Sequence, residues 1–277
     1  MTLRPGLYTR PVLSPILAFR PARVAERLGR LSEACPLAPT DLVGPAAGLG
    51  LPLPVVRASA APVARGALVA AKELHAPVGL ALPSGLAPGR WFEVVTAAAD
   101  EVAAGLPIFL SGEVMVEGEA PSQVEQAREQ VWALVDAGVT HVALDAGQVS
   151  AAQRARVLAE LAEPTLERGV ALDVVLDLAQ ATGRSSRAVF VLGELRRARI
   201  VPAIVSVRCP AAADAEAARA QAGALARLAE GQMTNDEFDD LYADGCGFDV
   251  RGHDALQDID AVHWRCHRGA PIESARG

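Results

Sequence analysis

Between residues 52 and 210 short apolar runs alternate with longer helical stretches, and no other feature narrows the fold of this chain as far. "PLPVVRAS" reads as a strand, "APVARGALVAAKELH" as a helix with apolar positions at helical spacing, and "APVGLALP" as the next strand. The cycle repeats: "GRWFEVVTAAADEVAAG" leads into "LPIFLSGEV", and "PSQVEQAREQVWALVDAG" into "VTHVALDAG". "SAAQRARVLAELAEPTLERG" then leads into "VALDVVLDL", and "SSRAVFVLGELRRARI" into "VPAIVSVRCP". Strands that are nearly all apolar need cover on both faces, which is the habit of parallel sheets. Helices between them make right-handed crossovers.

After residue 211 two helical stretches, a strand at "CGFDVRG" and a final helix from Asp254 are expected. Seven strands are counted in this way, one short of a closed ring. The predicted class is α/β, a (β/α)8 TIM-type barrel that is irregular or lacks a strand, with "SPILAFRP" as a candidate for the eighth. A doubly wound open sheet is the rival, but no G-x-G-x-x-G turn follows the first strand. Residues 1–51, rich in Pro and Gly around one amphipathic piece "ARVAERLGRLSEAC", are expected to form an extension packed on a barrel domain of residues 52–277. "GPAAGLGLP", residues 44–52, reads as an irregular loop, since no strand clearly precedes it.

Length agrees with this reading, because 277 residues suit one barrel of about 250 plus an extension. Half the residues are hydrophobic (51%) and 21% are charged, enough for a sizeable core. A net charge of −7 repels phosphate polymers and anionic lipid, so neither nucleic acid nor a membrane is an expected partner. A small-molecule ligand is expected instead, and self-association into a homo-oligomer is compatible with the sequence. Cys35, Cys209, Cys246 and Cys266 lack the paired spacing of a secreted framework and read as reduced thiols. The opening "MTLRPGLYTRP" has no apolar signal core, so a cytoplasmic location is expected.

Active sites of parallel barrels lie at the carboxyl ends of the strands. Glu113 closes the third strand counted, Asp145 the fourth and Asp177 the fifth, and Arg208 with Cys209 the sixth. Asp249, Arg251 and His253 lie on or just after the seventh. Glu113, Asp145, Asp177 and His253 are therefore the candidate catalytic groups. Asp173 shares parity with Asp177, and an inward Asp173 would be a buried carboxylate needing a partner such as an Arg or a water. Each acid also has a structural reading, as a cap for the next helix.

"ATGRSSRA" is the best anion site: Ser185 and Ser186 offer hydroxyls at a helix start and Arg184 adds charge, with Arg208 and Arg251 as further anion-binding candidates. "HWRCH" places His263, Cys266 and His267 within reach of one another on a helix, a weak zinc signal with a structural reading preferred. His75 and His141 sit at the amino-terminal edges of strands and are read as non-catalytic. Lys72, the one lysine, falls on a helix, where a Schiff base is not expected.

"RASAAPVARGALVAAKELHAPVGLALPSG", "LPIFLSGEVMVEG" and "LVDAGVTHVALDAG" together resemble the class II bisphosphate aldolase superfamily, particularly the tagatose-bisphosphate aldolase subunit called non-catalytic. The resemblance covers residues 57 to 150. It implies a barrel and a divalent metal held by histidines, with the family's Asp-His pair falling on Glu113 and Val114 and its fourth-strand aspartate on Asp145. Valine cannot ligate a metal, so the resemblance implies a degenerate metal site, and the residues name no cofactor. Two functions follow. One is an aldolase-like protein that binds a small carbonyl or phosphorylated sugar-like ligand and acts as a carbon-carbon lyase. The other is a non-catalytic binding or scaffolding subunit.

Overall fold

A computed structural model describes residues 15–48, 53–177, 184–209 and 261–266, with backbone alone at 44, 46–48, 151, 177, 184–190, 207–209 and 261–266. Helices α3 (Ala61–Glu73), α4 (Pro88–Val102) and α5 (Pro121–Ala137) each open with proline at the first or second position, where the missing N–H costs nothing. The residues before them are extended alanines without a side-chain cap. Helix α5 stops at Gly138, whose φ of 97° suits glycine; a Cβ there would also stand 2.7 Å from the Phe92 ring. Helices α6 (Ala151–Glu167) and α7 (Arg184–Arg197) complete the alternation.

The strands β2 (Val55–Arg57), β3 (Val78–Ala81), β4 (Pro107–Met115), β5 (His141–Asp145), β6 (Ala171–Asp177), β7 (Ile204–Cys209) and β8 (Ala261–Cys266) pair in chain order. Every ladder is parallel. A doubly wound sheet reverses its strand order at a switch point; this sheet does not. Crossovers of one hand without reversal put all the connecting helices on one side, as in a singly wound, barrel-type sheet. Among the described residues β8 has no ladder to β2.

Side-chain parity agrees. Leu80, Ile108, Leu110, Val114, Val142, Leu144, Leu172, Val174, Leu176 and Val205 share one core cluster with Leu68 of α3, Phe92 and Val95 of α4, Val131 and Leu134 of α5, Leu158 and Leu161 of α6, and Leu192 and Leu195 of α7. The residues between them face the inner side. Two glycines let the layers close up. At Gly79 a Cβ would stand 2.2 Å from the Phe109 ring on the inner side, and at Gly112 it would stand 2.5 Å from Leu134 on the helix side.

The amino-terminal segment adds a 3-10 turn at Pro15–Phe19, helix α1 (Ala22–Leu28), a two-residue strand β1 (Cys35–Pro36) and helix α2 (Thr40–Gly48). Strand β1 pairs with Pro107 and Ile108 of β4, below the start of β5. The Leu37 N–H donates to the Ile108 carbonyl and the Thr140 N–H to the Leu110 carbonyl, so β1 and β5 share one edge of β4 in sequence. Leu17, Cys35, Leu37 and Leu42 pack with Phe109 in a second cluster at that end of the inner side.

Polar clamps hold this segment. Arg23 donates to the Val135 carbonyl at 2.9 Å and to the Val139 carbonyl, and Arg27 to the Asp136 carbonyl at 3.1 Å. Guanidinium groups there meet carbonyls at the negative dipole end of α5. Burial, reinforced by the nearby Arg168 charge, pushes Arg23 down to about 10, which leaves it charged at neutral pH. Asp100 of α4 accepts from the Ser32 hydroxyl at 3.0 Å, the Glu33 N–H at 2.7 Å and the Ala34 N–H at 2.6 Å.

Three expectations need correction. "SPILAFRP" makes a 3-10 turn rather than a strand, consistent with its two prolines. Residues 40–48 are helical where a loop was expected from residue 44. The amphipathic piece, to which no element was assigned, holds α1 up to Leu28, and Gly29 follows it with a φ of 73°. Residues 261–266 form β8, not part of a final helix. "CGFDVRG" and the two helical stretches after residue 211 lie outside the described residues. Among the described residues no helix is long and apolar enough to cross a membrane.

Candidate functional site

The inner side of β4 to β7 carries two staggered polar layers. The lower layer starts at Ser111 on β4, whose Oγ lies 2.8 Å from Nδ1 of His141 on β5. The Nε2 of His141 lies 3.4 Å from Oδ2 of Asp173 on β6. Asp173 in turn accepts the Ser206 hydroxyl of β7 on Oδ2 at 2.5 Å and the Ser206 N–H on Oδ1 at 2.9 Å. All four residues are buried, Asp173 and Ser206 completely. The Phe109 ring meets the His141 ring edge-on, with centroids 6.0 Å apart, and separates this layer from the apolar cluster under it.

The upper layer is the strand rim. Glu113 pairs with Ala143, Asp145 with Met115 and Val175, and Asp177 with Arg208. From Glu113 to Asp145 to Asp177 the position rises two residues per strand, the stagger expected of tilted strands. Glu113 is exposed, whereas Asp145 is buried. Asp145 Oδ1 accepts the Gly147 N–H at 2.8 Å, which tightens the turn out of β5. Arg154 of α6 fixes the same turn through the carbonyls of Ala146, Gly147 and Val149. The Ser150 hydroxyl donates to Glu119 at 2.6 Å, joining this turn to the one that follows β4.

The candidates from sequence thus divide. Glu113 and Asp145 occupy one face of adjacent strands. Asp177 and Arg208 are register partners, with their backbone alone described. Arg184, Ser185 and Ser186 form the first turn of α7, again by backbone alone. Arg251 and His253 lie outside the described residues. Asp173 is buried as expected of an inward carboxylate, and Ser206 and His141 are among its neighbours. The "HWRCH" grouping needs correction, since strand alternation places His263 and Cys266 at positions of opposite parity.

Sequence reading missed Ser111 and Ser206 and set His141 aside. A period-two count down from the rim reaches two of them: Ser111 is two residues before Glu113, and His141 four before Asp145. The metal expectation does not fit the described residues. Val114, at the position where the resemblance puts a histidine, is 1% exposed in the helix-facing core. Among the described residues no three His, Cys, Asp or Glu side chains come together as a metal-holding group.

No protein-family model and no curated protein matches the sequence. Among solved structures the chain is similar to a Coccidioides immitis protein described as a fructose-1,6-biphosphate aldolase, at 14% identity and a TM-score of 0.47, over 81% of this chain and 79% of that one. It is also similar to the YdjI aldolase from Escherichia coli K12, at 12% identity and a TM-score of 0.42, over 78% of this chain and 91% of that one. With both scores under one half, this likeness decides neither mechanism nor substrate. Neither structure is described as a tagatose-bisphosphate aldolase subunit.

Proposed function

We propose that the rim around Glu113 and Asp145 binds a small carbonyl or phosphorylated sugar-like ligand in an aldolase-like site without the metal. The observation that supports this reading is Glu113 itself, an exposed carboxylate at the end of β4, whose preceding inner-side residues Phe109 and Ser111 are buried. A carboxylate there is accessible to solutes. In this reading Glu113 takes or returns a proton next to the ligand carbonyl. Arg208, Arg251 and the Arg184, Ser185 and Ser186 turn supply anion contacts, the last at a helix amino terminus. His253 and Asp177 serve as further acid or base groups.

Binding and turnover need separate tests. Ligand stabilises the fold by mass action, so a thermal-shift series with sugar phosphates should raise the melting temperature of the wild type and leave that of Glu113→Gln unchanged. Carbon-carbon cleavage, followed as released carbonyl product, should fall with the same substitution. A second reading, a non-catalytic binding or scaffolding subunit, draws support from the bond between Asp145 and Gly147 and from the inaccessible Val114. Melting shifts without any cleavage would select it. No shift with any sugar phosphate would remove the ligand proposal.

A further inference from the structure

We infer that Arg57 holds the phosphate of the rim ligand, which is then a short phosphorylated carbonyl compound with its phosphate a few bonds from the carbonyl. That role presupposes Glu113 as the group working at the carbonyl, as in the proposed function, and sets a cation two strands away from it. Strand register fixes the placement. Arg57 of β2 pairs with Ala81 of β3, and Ala81 pairs with Ser111 of β4. Val56 and Leu80 pack in the helix-side core, so Arg57 and Ala81 share the inner side with Ser111 and Glu113. Followed back from Glu113, the stagger of the rim reaches Ala81 and then Val55. Arg57 is the next inner position above Val55.

The floor between the two charges is low and apolar. Val55 is 42% exposed although it belongs to the inner side, and Ala81 is small and half-buried. Arg57 and Glu113 are both exposed beside it. Strand spacing and rise put their Cα atoms about 12 Å apart, a span that two long side chains and a short ligand would fill. Other arginines are engaged as structural clamps: Arg20 donates to the carbonyls of Leu17, Ser32 and Ala34, Arg23 to the end of α5, and Arg154 to the turn after β5. Among the described residues none bonds or pairs with the Arg57 guanidinium. Its backbone is held all the same. The adjoining Ala58 N–H donates to the Ala81 carbonyl at 3.1 Å, and the Ala58 carbonyl accepts from Nε1 of Trp91 at 3.2 Å. A planar cation on a fixed mounting, with its donors unengaged, suits two-pronged recognition of a phosphate.

The test is calorimetric titration of the full chain with glycolaldehyde phosphate, with unphosphorylated glycolaldehyde and with inorganic phosphate. Wild type should bind glycolaldehyde phosphate most tightly and inorganic phosphate more weakly. Arg57→Gln should weaken glycolaldehyde phosphate by about tenfold or more and abolish the binding of inorganic phosphate. Arg57→Lys, which keeps the charge without the planar fork, should recover part of that loss. Glycolaldehyde itself should bind Arg57→Gln as it binds wild type. Both variants should keep the wild-type melting temperature, since the Arg57 side chain is exposed. Equal affinity of wild type and Arg57→Gln for glycolaldehyde phosphate overturns the inference, and a loss confined to Glu113→Gln then leaves the rim reading standing without Arg57. Phosphate binding that needs Arg57, with no effect of Glu113→Gln on any probe, upholds the cation site and removes the carbonyl role of Glu113. No binding of any probe to wild type overturns both.

Discussion

On β4 to β7 the side turned to the helices is filled by Ile108, Leu110, Val142, Leu144, Val174 and Val205, whereas the inner side of the same strands carries Ser111, His141, Asp173 and Ser206. Both sides exclude water, by different physics. The apolar side gains roughly 25 cal/mol for each Å² removed from water, and neighbouring side chains share the benefit without directional demands. The inner side must satisfy each donor and acceptor individually, because a buried polar group without a partner costs more than a made hydrogen bond returns. One side therefore stabilises by area; the other is a network in which the loss of a single member is felt by its neighbours.

Substitution can break this contrast or sharpen it. The largest effect is expected from Asp173→Ala, which strands His141 and both Ser206 donors and should cost about 3–5 kcal/mol in urea unfolding. Leu110→Ala on the helix side should cost about 2–5 kcal/mol through its cavity. The sharper form is the double variant His141→Leu with Asp173→Leu, which should recover much of the Asp173→Ala loss, since apolar replacement of a buried pair is often neutral. Failure to recover would show that the network stabilises beyond its packing. Next comes a glycine on each side. Gly79→Ala meets the rigid Phe109 ring and should cost about 1–3 kcal/mol, while Gly112→Ala meets only the movable end of Leu134 and should cost less.

Cys35 probes the boundary between the amino-terminal segment and the inner side. Burial pushes its thiol up to about 11 from 9.0, against the opposing influence of Arg20. Between those values the unfolded chain releases a proton that the folded chain retains, so stability falls as pH rises through this window and the contribution is whole below it. Unfolding midpoints of the wild type should decline over that interval, and Cys35→Ala should lose this component of the decline. The smallest change is expected outside both layers. Arg128→Ala, which removes the exposed pair with Glu163 at 2.9 Å, should cost less than about 1 kcal/mol.

Sequence reading succeeded where a periodic pattern acts over a whole element. Strands β2 to β7 and helices α3 to α7 were legible because apolar residues repeat there at strand or helix spacing between Pro and Gly signals. It failed where tertiary contacts choose the structure. Cys35 and Pro36 have no strand pattern of their own and are extended because the β4 edge below β5 accepts them. Residues 261–266 read as helix but pair along the full length of β7, so the sheet outweighs local preference. The rim acids were legible as strand ends. The lower layer was not, because Ser111 and Ser206 are chemically ordinary until registration of neighbouring strands brings a histidine and an aspartate between them.

The clamp from Arg23 to the end of α5 spans 112 residues to Val135 and 116 to Val139. On a ribosome adding about 5–20 residues per second, the segment made first waits on the order of ten seconds for its acceptors to be synthesised. Leu17 and Leu37 need less of the chain, because their cluster is complete once Phe109 has been made. The early-born end of the polypeptide thus gains its clamp only when half of the chain has been made, and still ahead of β6 to β8, which emerge later.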